Sequence, residues 1–333
     1  MAPLFASHCL GLELGMATGN VENALMSLAL HSGCAYMQGL PLWTLEQDIE
    51  VCLATIIQYN SDPAKVVLEG IGNLVKALAG KVDVDEWLGA CPKLRRSEID
   101  TSLALIISGR NVYRTHVAFY FGDYEKADRC RQNVEMLLDL DRMFIRTLTV
   151  IVYGELIAAA FYRKSKKRKY KRQAAKYLDR MKEIVKKKGL TNLNKYYLME
   201  ADFVSTFDHR AKKEEVKRLF EKAIATSTKS GLIQDAALAN ELCGDYFLSA
   251  GDTFWARHYF TKATEHYRDW GATAKVMHLF KTRSKYIELN QSDAGATKMK
   301  SSQKNRKWLI QKVADASSDL MPSGDEGLSI SVH

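Results

Sequence analysis

Residues 235–279 constrain the fold more than any other stretch. They read as two amphipathic helices, about 235–250 and 252–270, joined by Gly251-Asp252, a turn glycine followed by an aspartate suited to cap the next helix. Small and aromatic residues recur at fixed offsets: Gly244, Phe247, Gly251, Ala256, Phe260 and Ala263. Gly244, Ala256 and Ala263 lack bulk, so two helix backbones can approach closely there. Phe247 and Phe260 fill the groove beside them. One such hairpin cannot bury its apolar face alone, so the rest of the chain is expected to supply similar neighbours.

The totals agree with a helix-rich, folded chain. Its 333 residues hold only five prolines and are 47% hydrophobic. No stretch approaches the ~18 to 20 uninterrupted apolar residues of a membrane span. The N-terminus lacks the basic start and apolar core of a secretion signal. Cys9, Cys34, Cys52, Cys91, Cys130 and Cys243 are scattered, with no C-x-x-C pair. Buried free thiols in a reducing compartment are expected, and the cytoplasm is the expected location. Net charge is +9, and its excess is concentrated in residues 163–172 and 182–188.

Taken in order, residues 1–80 read as N-terminal helical hairpins, with helices at 4–17, 21–38, 42–59 and from Asp62-Pro63 to about Gly80. Residues 81–96 form an irregular connector holding Trp87 and Cys91-Pro92. Residues 97–289 carry further hairpins and a capping helix. Helices are expected at 97–120, 142–162, 193–206 and 214–230, with a basic loop at 163–172 and another helix centred on Ala175 and Leu178, closed by Gly189. Gly122-Asp123 repeats the turn chemistry of Gly251-Asp252, and Ala127 stands where Ala256 stands. Ala201, Val204, Val216, Phe220 and Ala223 occupy matching places in a further hairpin. A last helix at 272–289 reads as a cap. The tail at 290–333 turns polar and is expected to be largely disordered, apart from a short helix at 305–314.

This pattern resembles the tetratricopeptide (TPR) repeat. Ala127, Ala175, Val216 and Ala256 are about 40 to 48 residues apart, against ~34 for the standard repeat, so the hairpins are TPR-like with long helices. The expected fold is all-α, a right-handed superhelix (α-solenoid) of antiparallel hairpins.

A more specific resemblance rests on Gly231-Leu232-Ile233-Gln234-Asp235-Ala236-Ala237-Leu238-Ala239-Asn240-Glu241-Leu242 and Trp270-Gly271-Ala272-Thr273-Ala274-Lys275-Val276. Weaker echoes are Gly11-Leu12-Glu13-Leu14-Gly15 and Gly122-Asp123-Tyr124-Glu125-Lys126-Ala127. With these, residues 10–280 resemble the helical-repeat region of large signalling proteins. Those proteins combine a protein-kinase-like domain, an AAA-type predicted ATPase, TPR-like repeats, a GAF domain, and a histidine kinase or nucleotide cyclase. The chain departs from them in having no P-loop, G-x-x-x-x-G-K-[ST]: Gly80-Lys81 is followed by Val82. The resemblance therefore implies the interaction and regulatory module without the catalytic parts. It also implies a fragment, a split gene product or a stand-alone descendant.

The remaining chemistry weighs little against ordinary packing. Among His116, His258, His266 and His278 there is no metal-ligand spacing, and no metal or cofactor is expected. Glu241 and Asp245, four apart, are expected to face Arg257 or Lys262 on the next helix rather than to do acid–base work. Trp255 and Trp270 are expected to pack against the adjacent repeat. Arg163, Lys164, Lys166, Lys167, Arg168, Lys169, Lys171 and Arg172 form a basic run open to a solvated loop, an import signal that would place the chain in the nucleus, or a phosphate contact. Two functions follow. The first is a non-catalytic scaffold whose concave surface binds protein partners or the ATPase and kinase domains of its own system. The second is a nucleic-acid-binding helical repeat that uses the basic run.

Overall fold

Seven turns share one geometry, and they set the architecture. The N–H groups of Leu40, Ser61, Lys81, Asp123, Leu232, Asp252 and Ala272 each donate to the carbonyl five residues back, at 2.9–3.3 Å. The residue before each has positive φ: Gly39, Asn60, Gly80, Gly122, Gly231, Gly251 and Gly271. This is the left-handed C-terminal stop of a helix, which glycine enters without a Cβ penalty and asparagine tolerates. Twice the next residue is an aspartate that caps the following helix. Asp123 accepts from Lys126 N–H at 2.9 Å, and Asp252 from Trp255 N–H at 3.2 Å.

The computed structural model describes residues 2–100, 103–139, 144–188 and 192–287, and these are all-helical, with no strand among them. Fourteen α-helices follow in order. They are α1 (Ala2–Ala17), α2 (Val21–Met37), α3 (Leu42–Gln58), α4 (Asp62–Leu78), α5 (Val84–Leu88), α6 (Ala104–Tyr120) and α7 (Tyr124–Met136), then α8 (Phe144–Ser165), α9 (Arg168–Lys188), α10 (Leu193–Phe207), α11 (Lys213–Lys229), α12 (Ile233–Ser249), α13 (Thr253–Trp270) and α14 (Thr273–Arg283). Gly189, the helix expected at 305–314 and the polar tail lie outside the described residues.

Three boundaries and one buried position differ from expectation. Helix α6 starts at Ala104, not near 97, because side chains hold the preceding backbone in another path. Asn133 on α7 accepts from Leu94 N–H at 3.0 Å and donates to the Pro92 carbonyl at 2.9 Å, and Arg96 grips Asp139 with both nitrogens at 2.8 and 2.9 Å. The connector is thereby strapped along α7. The basic run is not a loop. Arg163 and Lys164 end α8, Arg168 opens α9, and Lys166, at φ 55°, makes the bend. In α9 the fully buried small residue is Ala174 rather than Ala175. The last helix is shorter than expected: α14 ends at Arg283 and passes into a 3₁₀ turn at Ser284–Tyr286.

Sequential helices pair closely, notably α1 with α2, α6 with α7, α8 with α9, α10 with α11, and α12 with α13. In the last pair, a Cβ on Gly244 would lie 2.8 Å from the Phe260 ring, and Phe247 stacks on Tyr259 at 5.7 Å. Ala127, Ala201, Phe220, Ala223, Ala256, Phe260 and Ala263 are fully buried. Gly122 and Gly251 act differently, as turn residues with nothing near the missing Cβ. The α8–α9 pair repeats the glycine–aromatic fit with Gly154 beneath Tyr177, a match hidden in the sequence by its longer helices.

Helices two apart also touch: α2 with α4, α4 with α6, α6 with α8, α8 with α10, and α10 with α12. Helix α14 then returns to α4, and one apolar core runs from Leu12 to Leu279. Helix α8 is the one described helix long and apolar enough to span a bilayer, but 78% of that stretch is buried among other helices.

Replacing Gly244 by alanine drives a methyl into the Phe260 ring. It is expected to cost about 1–3 kcal/mol by overpacking, despite alanine's better helix propensity. Chemical denaturation checks this, and Phe260→Leu in the same chain should recover part of the loss.

Candidate functional site

The inward sides of these helices carry most of the buried polar chemistry. Tyr36 from α2, His116 and Tyr120 from α6, Tyr153 from α8, and Tyr267 and Trp270 from α13 meet in one aromatic cluster. His116 lies between Tyr36 and Tyr153, with ring centroids at 6.0 and 4.5 Å. Trp270 packs on Tyr36 at 5.8 Å and on Tyr120 at 6.3 Å, and its indole N–H donates to the Leu40 carbonyl at 3.2 Å. Trp270 thus packs against the start of the chain, not only against the adjacent hairpin. Trp255 does pack on its neighbour, with Lys217 of α11 3.5 Å from the ring centre.

The space left inside is about 20 Å³, room for roughly one water. Lys195 and Asn194 both donate to Asp235 there at 2.7 Å, while the Tyr36 hydroxyl and the Gln234 side-chain oxygen have no protein partner. The aromatic rings fill the rest of this side.

Beside the cluster runs a line of paired charges. Glu241 does not face Arg257 or Lys262. It accepts from Lys275 of α14 at 2.6 Å and from the Tyr267 hydroxyl at 2.8 Å. Lys275, 1% exposed, also donates to the Tyr120 carbonyl. Asp245 accepts from two nitrogens of Arg283 at 3.1 and 2.8 Å. Arg163, counted in the basic run, stays partly exposed but donates to the buried Asp202 at 2.8 Å and to Thr206 at 2.7 Å. These groups flank a cavity of about 210 Å³ lined in part by Tyr120, Tyr124, Glu241, Asp245, His278 and Arg283.

Burial and then the nearby Asp202 charge hold the Glu155 carboxyl well above the usual carboxylate range. Neither of its oxygens has a hydrogen-bond partner. Burial pushes the His116 imidazole down to about 3. Burial, then Lys275, Arg283 and Lys281, push His278 down to about 4. Both rings are neutral at pH 7. Among the described residues, no three potential metal ligands converge. The paired carboxylates are neutralised by cations from other helices, so the arrangement ties α6, α12, α13 and α14 together.

Sequence reading treated the cysteines singly, but the fold brings two together. A hydrogen bond from Cys130 pulls the Cys91 thiol down against burial, helped by the charges of Arg114, Lys126 and Arg129. Their separation in sequence left no signal for this pairing.

Comparison with protein-family models, with curated proteins and with solved structures gives no match to this chain.

Two tests follow. Lys275→Met leaves Glu241 without its cation and is expected to cost about 3–5 kcal/mol in denaturant unfolding, partly recovered by adding Glu241→Gln. As pH falls, the unfolded chain binds the His116 proton near pH 6.5, whereas the folded chain resists until about 3. Stability from this group is therefore full above its unfolded value and is lost as pH drops, by about 2 kcal/mol between pH 7 and 5. His116→Gln should flatten the pH dependence over that window.

Proposed function

We propose that the chain is a non-catalytic protein-interaction and regulatory scaffold, a TPR-like right-handed superhelix akin to the repeat module of multidomain signalling ATPases and kinases. The supporting observation is the recurring local geometry: seven turns of one kind join successive helices around one main apolar core, beside a smaller cluster at Ala158, Ala159, Ala174 and Phe207. Repeated hairpins of this kind offer extended outer surfaces rather than one deep reaction pocket. The fold spends its inner carboxylates, lysine and arginines on one another. No catalytic residue, metal or cofactor is assigned, and a cytoplasmic location goes with this reading.

With the inner side filled, the binding face lies outside. A wide groove of about 810 Å³ runs between α8 and α9, with Ile151, Ala175 and Ile184 on its floor and Arg172, Lys176 and Arg180 on its walls. Asp179 and Glu183 also line it, but the surrounding charge is positive. An apolar floor with a basic rim suits an amphipathic helix bearing acidic flanks. Such a segment would come from a partner protein or from an ATPase or kinase domain of the same system.

One observation favours nucleic acid as a second reading. The first turn of α9 has no acidic residue and begins Arg168-Lys169, with Lys167 just before it and all three exposed. Cations at a helix N-terminus oppose the helix dipole, and an approaching phosphate would relieve that repulsion.

The test compares wild type with Ile184→Asp and with a Lys167→Glu/Arg168→Glu/Arg172→Glu variant. Each is used to capture proteins from source lysate at several salt concentrations and to titrate labelled oligonucleotides. Specific protein capture lost in Ile184→Asp supports the scaffold. No specific protein at any salt counts against it. Micromolar oligonucleotide binding that weakens steeply with salt and vanishes in the charge-reversal variant favours the second reading.

A further inference from the structure

A separate cavity of about 320 Å³ lies between α2, α4, α5, α6 and α8, away from the charged line and from the α8–α9 groove. Its volume reaches the lower end of the ~300–1,000 Å³ range of small-molecule pockets. Most of its wall is apolar, including Leu30, Val67, Trp87 and Ile106. One guanidinium, that of Arg146, also lines it. Arg146 is 4% exposed, and its guanidinium donates to the Leu105 carbonyl at 3.0 Å among its interactions. Burial pushes it down to about 10, so it remains a cation at neutral pH in a poorly hydrated place. A second cation, Arg110, stands exposed at the mouth, and so does the carboxylate of Glu69.

Gly70 gives the cavity a further character. At Gly11, Gly15, Gly33, Gly72, Gly109, Gly154 and Gly244, all inside helices, a neighbouring side chain lies within 3.4 Å of where a Cβ would stand. At Gly70 no atom lies within 4 Å, and the missing side chain opens onto the cavity. Glycine inside a helix costs about 0.5–1 kcal/mol against alanine. Elsewhere in this fold that cost accompanies close packing; at Gly70 it accompanies only open space.

We propose that this cavity binds a small monocarboxylate with an apolar body, its carboxylate on Arg146 and its body against Leu30, Val67, Trp87 and Ile106. Arginine pairs with carboxylate through two parallel N–H bonds, and the pairing gains strength where water is scarce. Glu69 at the mouth disfavours a more highly charged phosphate, whereas a single negative charge is still drawn by the two arginines.

Titration calorimetry with octanoate on the full chain tests this, beside 1-octanol, octylamine and octyl phosphate. Octanoate is expected to bind, and the alcohol and the amine to bind at least roughly tenfold more weakly. Gly70→Leu fills the cavity without touching its walls' hydrogen bonds. It should keep or raise the thermal midpoint while weakening octanoate by roughly tenfold or more. Arg110→Gln, on the surface, should weaken it less. Absence of octanoate binding, equal binding of 1-octanol, tighter binding of octyl phosphate, or unchanged binding in a folded Gly70→Leu variant would each overturn the assignment.

Discussion

The contact that residues 234–275 make with residues 36–40 and with residue 120 is the constraint on which the rest depends. Trp270 reaches back to Tyr36 and the Leu40 carbonyl, Gln234 donates to the Met37 carbonyl at 2.9 Å, and Lys275 donates to the Tyr120 carbonyl. These bonds join residues more than a hundred positions apart. Once they form, the inner faces of the intervening helices have nowhere to look but toward one another. Large rings suit that space, because each fills volume and keeps a polar edge for the few hydrogen bonds available. The backbone carbonyls of Met37, Leu40 and Tyr120 lie at or beside helix ends, where intrahelical partners run out. The returning side chains therefore satisfy acceptors that the local structure leaves open.

Burying so many charges opposes stability unless each is matched. Here the matching crosses helices: Glu241 with Lys275, Asp245 with Arg283, Asp202 with Arg163, Asp235 with Lys195. Each pair joins two different helices, so a register slip of one helix would strand two ions at once. The pairs therefore discriminate against misassembled packings more than they add net stability. Burial likewise shifts the buried Glu155 carboxyl toward its neutral form, and His116 escapes the penalty by refusing a proton.

What the sequence made legible is local. The Gly-Asp turns, the small residues facing Phe260, and most helix spans follow from propensity and short-range spacing, because the deciding contacts lie within one hairpin. What it hid is long-range. Asn133 competes for the backbone at Pro92 and Leu94 and so delays α6. Arg163 belongs by sequence to a basic cluster, yet it pairs with Asp202, far along the chain. Glu241 had plausible cations on the next helix, but the real partner arrives one helix later. The Gly154–Tyr177 fit repeats Gly244–Phe260 across longer helices, which shifts the offset and conceals the kinship. The inner cavity and the pocket beside Gly70 depend on five or more helices each, and no window of sequence contains them.

The returning contact of α14 on α4 has a consequence for how the molecule comes apart. A linear array of hairpins melts from its free ends, one unit at a time, since each unit is held only by its neighbours. Here α14 braces α4, and Trp270 braces Tyr36 and the Leu40 carbonyl, so the late helices are tied to early ones and not only to their neighbours. Losing that bracing exposes the aromatic centre to water and weakens the whole, which favours a single sharp transition. The same closure slows assembly, because its bonds require the most distant parts of the chain to find one another before any of them is rewarded.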